Sequence, residues 1–109
     1  MGGKKMKVIN ELTNMIADEL EGAEHYVKSA IHYKSEFPGL ADVLYEISNQ
    51  EMRHVTLLHE EVVKVIKTYR EKHGEPPAAM QAIYDWEHEK QIEESKEIKI
   101  LQNQYREHS

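Results

Sequence analysis

Two ionisable residues interrupt an apolar helical pattern in the middle of the chain. The positions of this pattern, three and four residues apart, are Leu40, Leu44, Ile47, Glu51, His54, Leu58, Val62, Val65 and Tyr69. Such spacing is typical of the buried face of an α-helix, where an unpaired charge is costly. Glu51 and His54 share that face because they are three residues apart. Their carboxylate and imidazole are therefore candidate ligands for one divalent cation.

The position of His54 distinguishes it from the other histidines. Of the seven histidines, only His54 follows a glutamate by three residues. The alternative for the pair is a polar interruption of a helical seam that fixes how the helices align. We expect ordinary surface positions for the histidines that lack such a partner in the seam, which are His25, His32, His59, His73 and His108.

A second carboxylate interrupts an apolar pattern in the first part of the chain. That pattern consists of Leu12, Ile16, Glu19, Ala23, Tyr26, Ala30 and Tyr33. Glu19 is its only charged member, which makes it the preferred third ligand, and Glu21 replaces it if the helix is rotated. The small side chain of Ala23 would let a neighbouring helix or an ion approach closely.

Short breaks divide the chain into three predicted helices. Phe37-Pro38-Gly39 and His73-Gly74 end helical patterns, and Glu75-Pro76-Pro77 precedes the third one. The breaks predict an all-α chain with helices at roughly 7–36, 39–73 and 77–107. Short connections make consecutive helices antiparallel. We expect one domain over residues 1–109, in which residues 1–6 have no part in the fold.

Composition excludes several classes of function. The net charge of −6 argues against nucleic acid, because such binding depends on neutralising phosphates. No apolar run approaches the length of a membrane span, and no secretory signal is recognisable, so we expect a cytoplasmic protein without a membrane partner. The absence of cysteine excludes disulfides and thiolate metal sites.

The second helix is apolar over a broader face than one three-helix chain covers. We therefore expect a homodimer in which helices 1 and 2 of two chains form a four-helix bundle. The third helix would pack outside this bundle or reach across the partner. It carries a second acid–imidazole pair, Asp85 and His88, while Glu87 shares a face with Tyr84 and Ile98. Either Glu87 or His88 completes a metal site, or this helix is a charged, solvent-exposed one.

Two segments resemble the ligand-bearing helices of the ferritin-like superfamily, especially of rubrerythrin-like proteins. They are IADELEGAEHYVKSA in the first predicted helix and YEISNQEMRHVTLLHEEV in the second. The third helix resembles a segment of small ferritin-like proteins from bacteria and their phages. This resemblance implies a di-iron carboxylate centre with ferroxidase or peroxide-scavenging activity. Oxygen and imidazole ligands suit iron or manganese, with zinc as a common substitute.

The chain differs from full-length members of that superfamily in carrying only half of their ligand set. Such members supply Glu and Glu-x-x-His twice from four helices. A two-fold dimer would restore the set by contributing Glu19, Glu51 and His54 twice. Without cysteine there is no rubredoxin-type electron donor. The alternative function is a metal-free helical dimer that acts as an interaction or scaffold module.

Overall fold

The computed structural model describes residues 2–107, with side chains from residue 7 onward, and consists of three α-helices. They are α1 (Gly2–Tyr33), α2 (Pro38–His73) and α3 (Ala78–Glu107). No strand occurs in this part of the chain, so the all-α prediction is confirmed. None of the helices has an apolar stretch that would let it cross a bilayer, within the range described.

The ends of the helices differ from the predicted ones by a few residues. Helix α1 begins at Gly2, inside the segment expected to have no part in the fold, and Met1 lies outside the described residues. The run from Lys4 to Lys7 contains good helix formers, which favours this longer helix. Pro38 is the first residue of α2, where its missing N–H costs nothing.

Gly74 ends α2 as the sequence predicts. Its φ of 75° lies in the left-handed region, which glycine adopts without a steric penalty. In that conformation the Gly74 N–H donates to the carbonyl oxygen of Arg70 over 2.9 Å. The glycine therefore satisfies a carbonyl group that the end of the helix would otherwise leave without a partner.

Helices α1 and α2 are antiparallel and closely packed along small residues. The Ser48 hydroxyl donates to the carbonyl oxygen of Ala23 over 2.7 Å, and this pair is buried. Two helical turns after Ala23, Ala30 lies in one buried cluster with Ala41, which is two turns before Ser48. These contacts fix which residues of the two helices lie opposite one another.

The buried face of α1 is rotated from the predicted one. Its buried residues are Ile9, Ile16, Leu20, Ala23, Val27 and Ala30. Leu20 and Val27, outside the predicted pattern, are in the core, whereas Tyr33 is exposed. The reason is the third helix, which packs chiefly against α1 and places Ile98 in the cluster of Ile16 and Leu20. Glu19 consequently lies at the edge of the core and not at its centre.

Polar contacts help to hold α3 on the helix pair. The Gln102 amide donates to the Ser48 hydroxyl over 3.0 Å inside the protein. Near the end of α3, the Tyr105 ring stacks on Tyr45 at 4.5 Å and its hydroxyl donates to Asp42. These contacts fix the position of α3 along its axis, and therefore which of its residues are level with Glu51 and His54.

Candidate metal centre

Glu19, Glu51 and His54 lie together where α1 and α2 meet. One potential ligand atom from each of them lies within 4.8 Å of those of the other two. Nδ1 of His54 lies 3.2 Å from Oε2 of Glu19. Among the side chains from residue 7 to residue 107, this is the one group of three or more acidic, histidine or cysteine residues so arranged. The structure thus brings together the three residues singled out from the sequence.

The antiparallel alignment of α1 and α2 explains this convergence. Ser48 is bonded to Ala23, and Glu51 and His54 follow it one and two helical turns later. On α1, Glu19 lies one turn before Ala23. Because the two helices run in opposite directions, moving forward along α2 from Ser48 and backward along α1 from Ala23 leads to the same height on the helix pair. Glu51 and His54 therefore lie beside Glu19. Glu21, the alternative to Glu19, is exposed and is not in the group.

Gly22 of α1 makes room for the Glu51 carboxyl group. A Cβ atom at position 22 would lie 3.0 Å from Oε2, 3.3 Å from Cδ and 3.7 Å from Oε1 of Glu51. The carboxyl group therefore lies against the backbone of α1, in space that any other residue type would fill. The sequence analysis did not identify Gly22 as part of the site. A glycine inside a long helical pattern is nevertheless a signal that another group approaches the backbone closely.

The neighbourhood of Glu51 favours its neutral form. A hydrogen bond with Glu19, burial and the negative charge of Glu19 together raise the pKa of Glu51 from 4.5 to about 7, while His54 acts in the opposite direction. Below about pH 7 the Glu51 carboxyl group therefore keeps a proton that it can donate to Glu19. A divalent cation would take the place of that proton, because two carboxylates offset its charge.

The group is open to solvent on one side. The Glu19 side chain is 28% exposed and the His54 side chain is 52% exposed. His54 is thus more exposed than a position in a buried seam predicts. The opening leaves room for exogenous ligands, or for a second chain.

Glu87 and His88 of α3 are not brought to this group. The His88 ring stacks instead on Tyr84 at 5.7 Å and on His59 at 5.0 Å. Because Gln102 is fixed opposite Ser48, residues near 98 are level with Glu51, and His88 lies further along α2. The apolar Ile98 is the residue that α3 supplies at the level of the three ligands.

The remaining histidines differ in their surroundings. His25, His32 and His73 are exposed, as expected. His59 is partly buried, and this burial together with the nearby His88 lowers its pKa. His108 lies outside the described residues.

The donor set fits a divalent transition metal. Two carboxylates and one imidazole suit manganese, iron or zinc, and three protein ligands leave further positions for other ligands. The adjacent space at Gly22 lets the Glu51 carboxyl group lie beside Glu19. Comparison with models of known protein families, with curated proteins and with solved structures finds no match for this chain.

Proposed function

We propose that this chain is a dimeric metal-binding protein of the carboxylate type, in which Glu19, Glu51 and His54 hold one iron or manganese ion per chain. The observation that carries the proposal is the convergence of these three side chains from two helices. Each interrupts an apolar sequence pattern, where a charged or polar group needs compensation. A bound cation supplies that compensation for both carboxylates.

The proposed dimer would bring two such groups together. Exposed apolar residues lie on the same face as Glu19 and Glu51, at helical spacings from them: Val8, Met15, Tyr33, Leu40 and Val43. A second copy of the chain would cover these residues and the exposed edge of His54. Four carboxylates would then offset the charge of two divalent ions.

The chemistry proposed is oxidation of Fe(II) by oxygen or peroxide, which paired iron ions with open coordination positions support. The protein's part is to hold the ligands in place and to restrict solvent access. Ile98 and Leu20 provide the apolar surroundings on the side towards α3. A cytoplasmic location belongs to the same proposal and suits a chain without cysteine.

Metal analysis tests the proposal. Protein loaded anaerobically with Fe(II), or with Mn(II), and then desalted should retain about one ion per chain by mass spectrometry of the metal. Glu19→Gln and His54→Ala should lose it. Glu21→Gln and His25→Ala are matched controls, because both residues are exposed and outside the group. Equal metal content in all four variants would contradict the proposed site.

Sedimentation and oxygen uptake test the other two parts of the proposal. The loaded protein should sediment as a dimer and should consume oxygen with Fe(II) faster than buffer does. A dimer that retains no stoichiometric metal would instead favour the scaffold function. A monomer that binds metal would contradict the paired site but not the three ligands.

A further inference from the structure

We propose that Gly22 is a positioning residue for the metal site: its missing side chain leaves a notch in α1 that holds the Glu51 carboxyl group in its ligand position. This inference rests on the proposed function, because it concerns the geometry of the same three ligands. It assigns a role to a glycine, which has no side chain with which to bind a metal.

The fit of the carboxyl group to the notch is close. The 3.0 Å between Oε2 of Glu51 and a Cβ atom placed at residue 22 is shorter than an ordinary van der Waals separation. Cδ and both oxygens lie within 3.7 Å of that Cβ position, so the whole carboxyl group is seated there. By contrast, a Cβ atom at Gly39, which is also helical, would meet nothing within 4 Å.

Local helix preference does not explain a glycine at this place. Residue 22 lies well inside the 32-residue helix α1. In a helix interior, alanine is favoured over glycine by a factor of about four to five in the helix equilibrium. Glycine at position 22 therefore destabilises α1. The feature of the structure that requires a glycine there is the carboxyl group of Glu51, which lies against the backbone.

The helices cannot separate to admit a methyl group at position 22 without loss of neighbouring contacts. The next residue, Ala23, accepts the 2.7 Å hydrogen bond of Ser48, and Ser48 in turn accepts one from Gln102. All three are buried. Glu51, by contrast, can rotate its flexible side chain. A methyl group at position 22 should therefore displace the carboxyl group and leave the fold intact.

The displacement should weaken metal binding. The contact requires the Glu51 carboxyl group to move by a few tenths of an ångström, which uses up most of the tolerance of about 0.5 Å within which a ligand set must be held. We expect Gly22→Ala to bind Mn(II) at least tenfold more weakly than the wild type, as measured by electron paramagnetic resonance of free Mn(II). The matched control Gly39→Ala should bind within twofold of the wild type. Thermal unfolding without metal should show Gly22→Ala to be no less stable than the wild type.

A metal-free double-mutant cycle tests the steric contact itself. In a Glu51→Ala background, Gly22→Ala should raise the folding equilibrium constant by the full helical factor of about four to five. In the presence of Glu51 the gain should be at least twofold smaller. Equal gains in both backgrounds would show that the methyl group does not meet Glu51, and would overturn the inference even if the wild type binds metal.

Three further outcomes are decisive. Unchanged Mn(II) affinity in Gly22→Ala overturns the positioning role while leaving the proposed metal site in place. Weakened affinity together with a loss of the wild-type sedimentation behaviour also overturns it, because the methyl group then acts on the assembly. A wild type that binds no Mn(II) contradicts the proposed function, and the double-mutant cycle still decides whether Gly22 positions Glu51.

Discussion

Replacement of Glu51 by glutamine should change how stability depends on pH. Glu51 keeps its proton in the folded protein up to about pH 7, whereas its ordinary pKa is 4.5. As pH rises from 4.5 to 7, the unfolded chain loses this proton and the folded chain retains it. The free energy of unfolding therefore falls across that window and levels off above it. Glutamine is neutral throughout and can donate a hydrogen bond to Glu19, so Glu51→Gln should lack this fall.

The size of the effect follows from the two pKa values. A difference from 4.5 to about 7 corresponds to a ceiling of about 3 kcal/mol at 1.36 kcal/mol per unit. Glu51 is only partly buried, and water screens part of the interaction, so we expect about 1 to 2 kcal/mol. In metal-free protein, Glu51→Gln should thus match the wild type near pH 4.5 and exceed its stability by that amount at pH 8.

Urea unfolding followed by circular dichroism measures this difference. The titration should be run between pH 4.5 and pH 8 with a chelator and at one protein concentration, because bound metal and assembly both shift apparent stability. Glu21→Gln is the matched control and should follow the wild type at every pH. Histidines other than His54, which interacts with Glu51, contribute equally to the wild type and to Glu51→Gln, so they cancel in the comparison. Parallel curves for the two proteins would refute the account of the carboxyl pair.

Three further predictions concern the contacts that hold the ligands in place. Ser48→Ala should lower the free energy of unfolding by about 1 to 3 kcal/mol, because it leaves the buried amide of Gln102 without an acceptor, and adding Gln102→Leu should recover most of that loss. Leu20→Ala should cost about 3 kcal/mol through the cavity left in the core. Tyr105→Phe should cost about 1 kcal/mol through the lost hydrogen bond to Asp42. Urea unfolding of the metal-free proteins measures all three.

Each of these predictions has a distinct contradicting result. The Ser48 account fails if the double variant is as unstable as Ser48→Ala alone. The core account fails if Leu20→Ala costs no more than Leu57→Ala, since Leu20 is 1% exposed and Leu57 is 55% exposed. The Tyr105 account fails if the ring absorbance of the wild type titrates with an ordinary tyrosine pKa, since burial and Asp42 raise the pKa of Tyr105 to about 12.

The helices and the pairing of α1 with α2 could be predicted because local signals determine them. Pro38 begins α2 and Gly74 follows its end because of their own backbone conformations, so the sequence alone predicts both ends of the helix. Glu51 and His54 are placed on one face by helix periodicity alone. Their meeting with Glu19 needed only a short connection between two antiparallel helices.

The placement of α3 could not be predicted because it depends on long-range contacts. The bond between Gln102 and Ser48 sets its position, and both are polar residues that no hydrophobic pattern marks as buried. That position separates His88 from the three ligands and pairs it with His59. The packing of α3 against α1 also places Leu20 in the core and Glu19 at the edge of the core. The role of Gly22 likewise depends on which residue of α2 lies opposite it.

The position of the bound metal is the most direct test of the proposed site. Crystals of the protein loaded with Mn(II) or Fe(II) should give an anomalous diffraction peak in contact with Glu19, Glu51 and His54, with ligand distances of about 2.0 to 2.3 Å. Two such peaks about 3.5 to 4 Å apart across a two-fold axis would agree with the proposed dimer. A stoichiometric peak at His59 and His88, or no peak after loading, would contradict the assignment of these three residues as a metal centre.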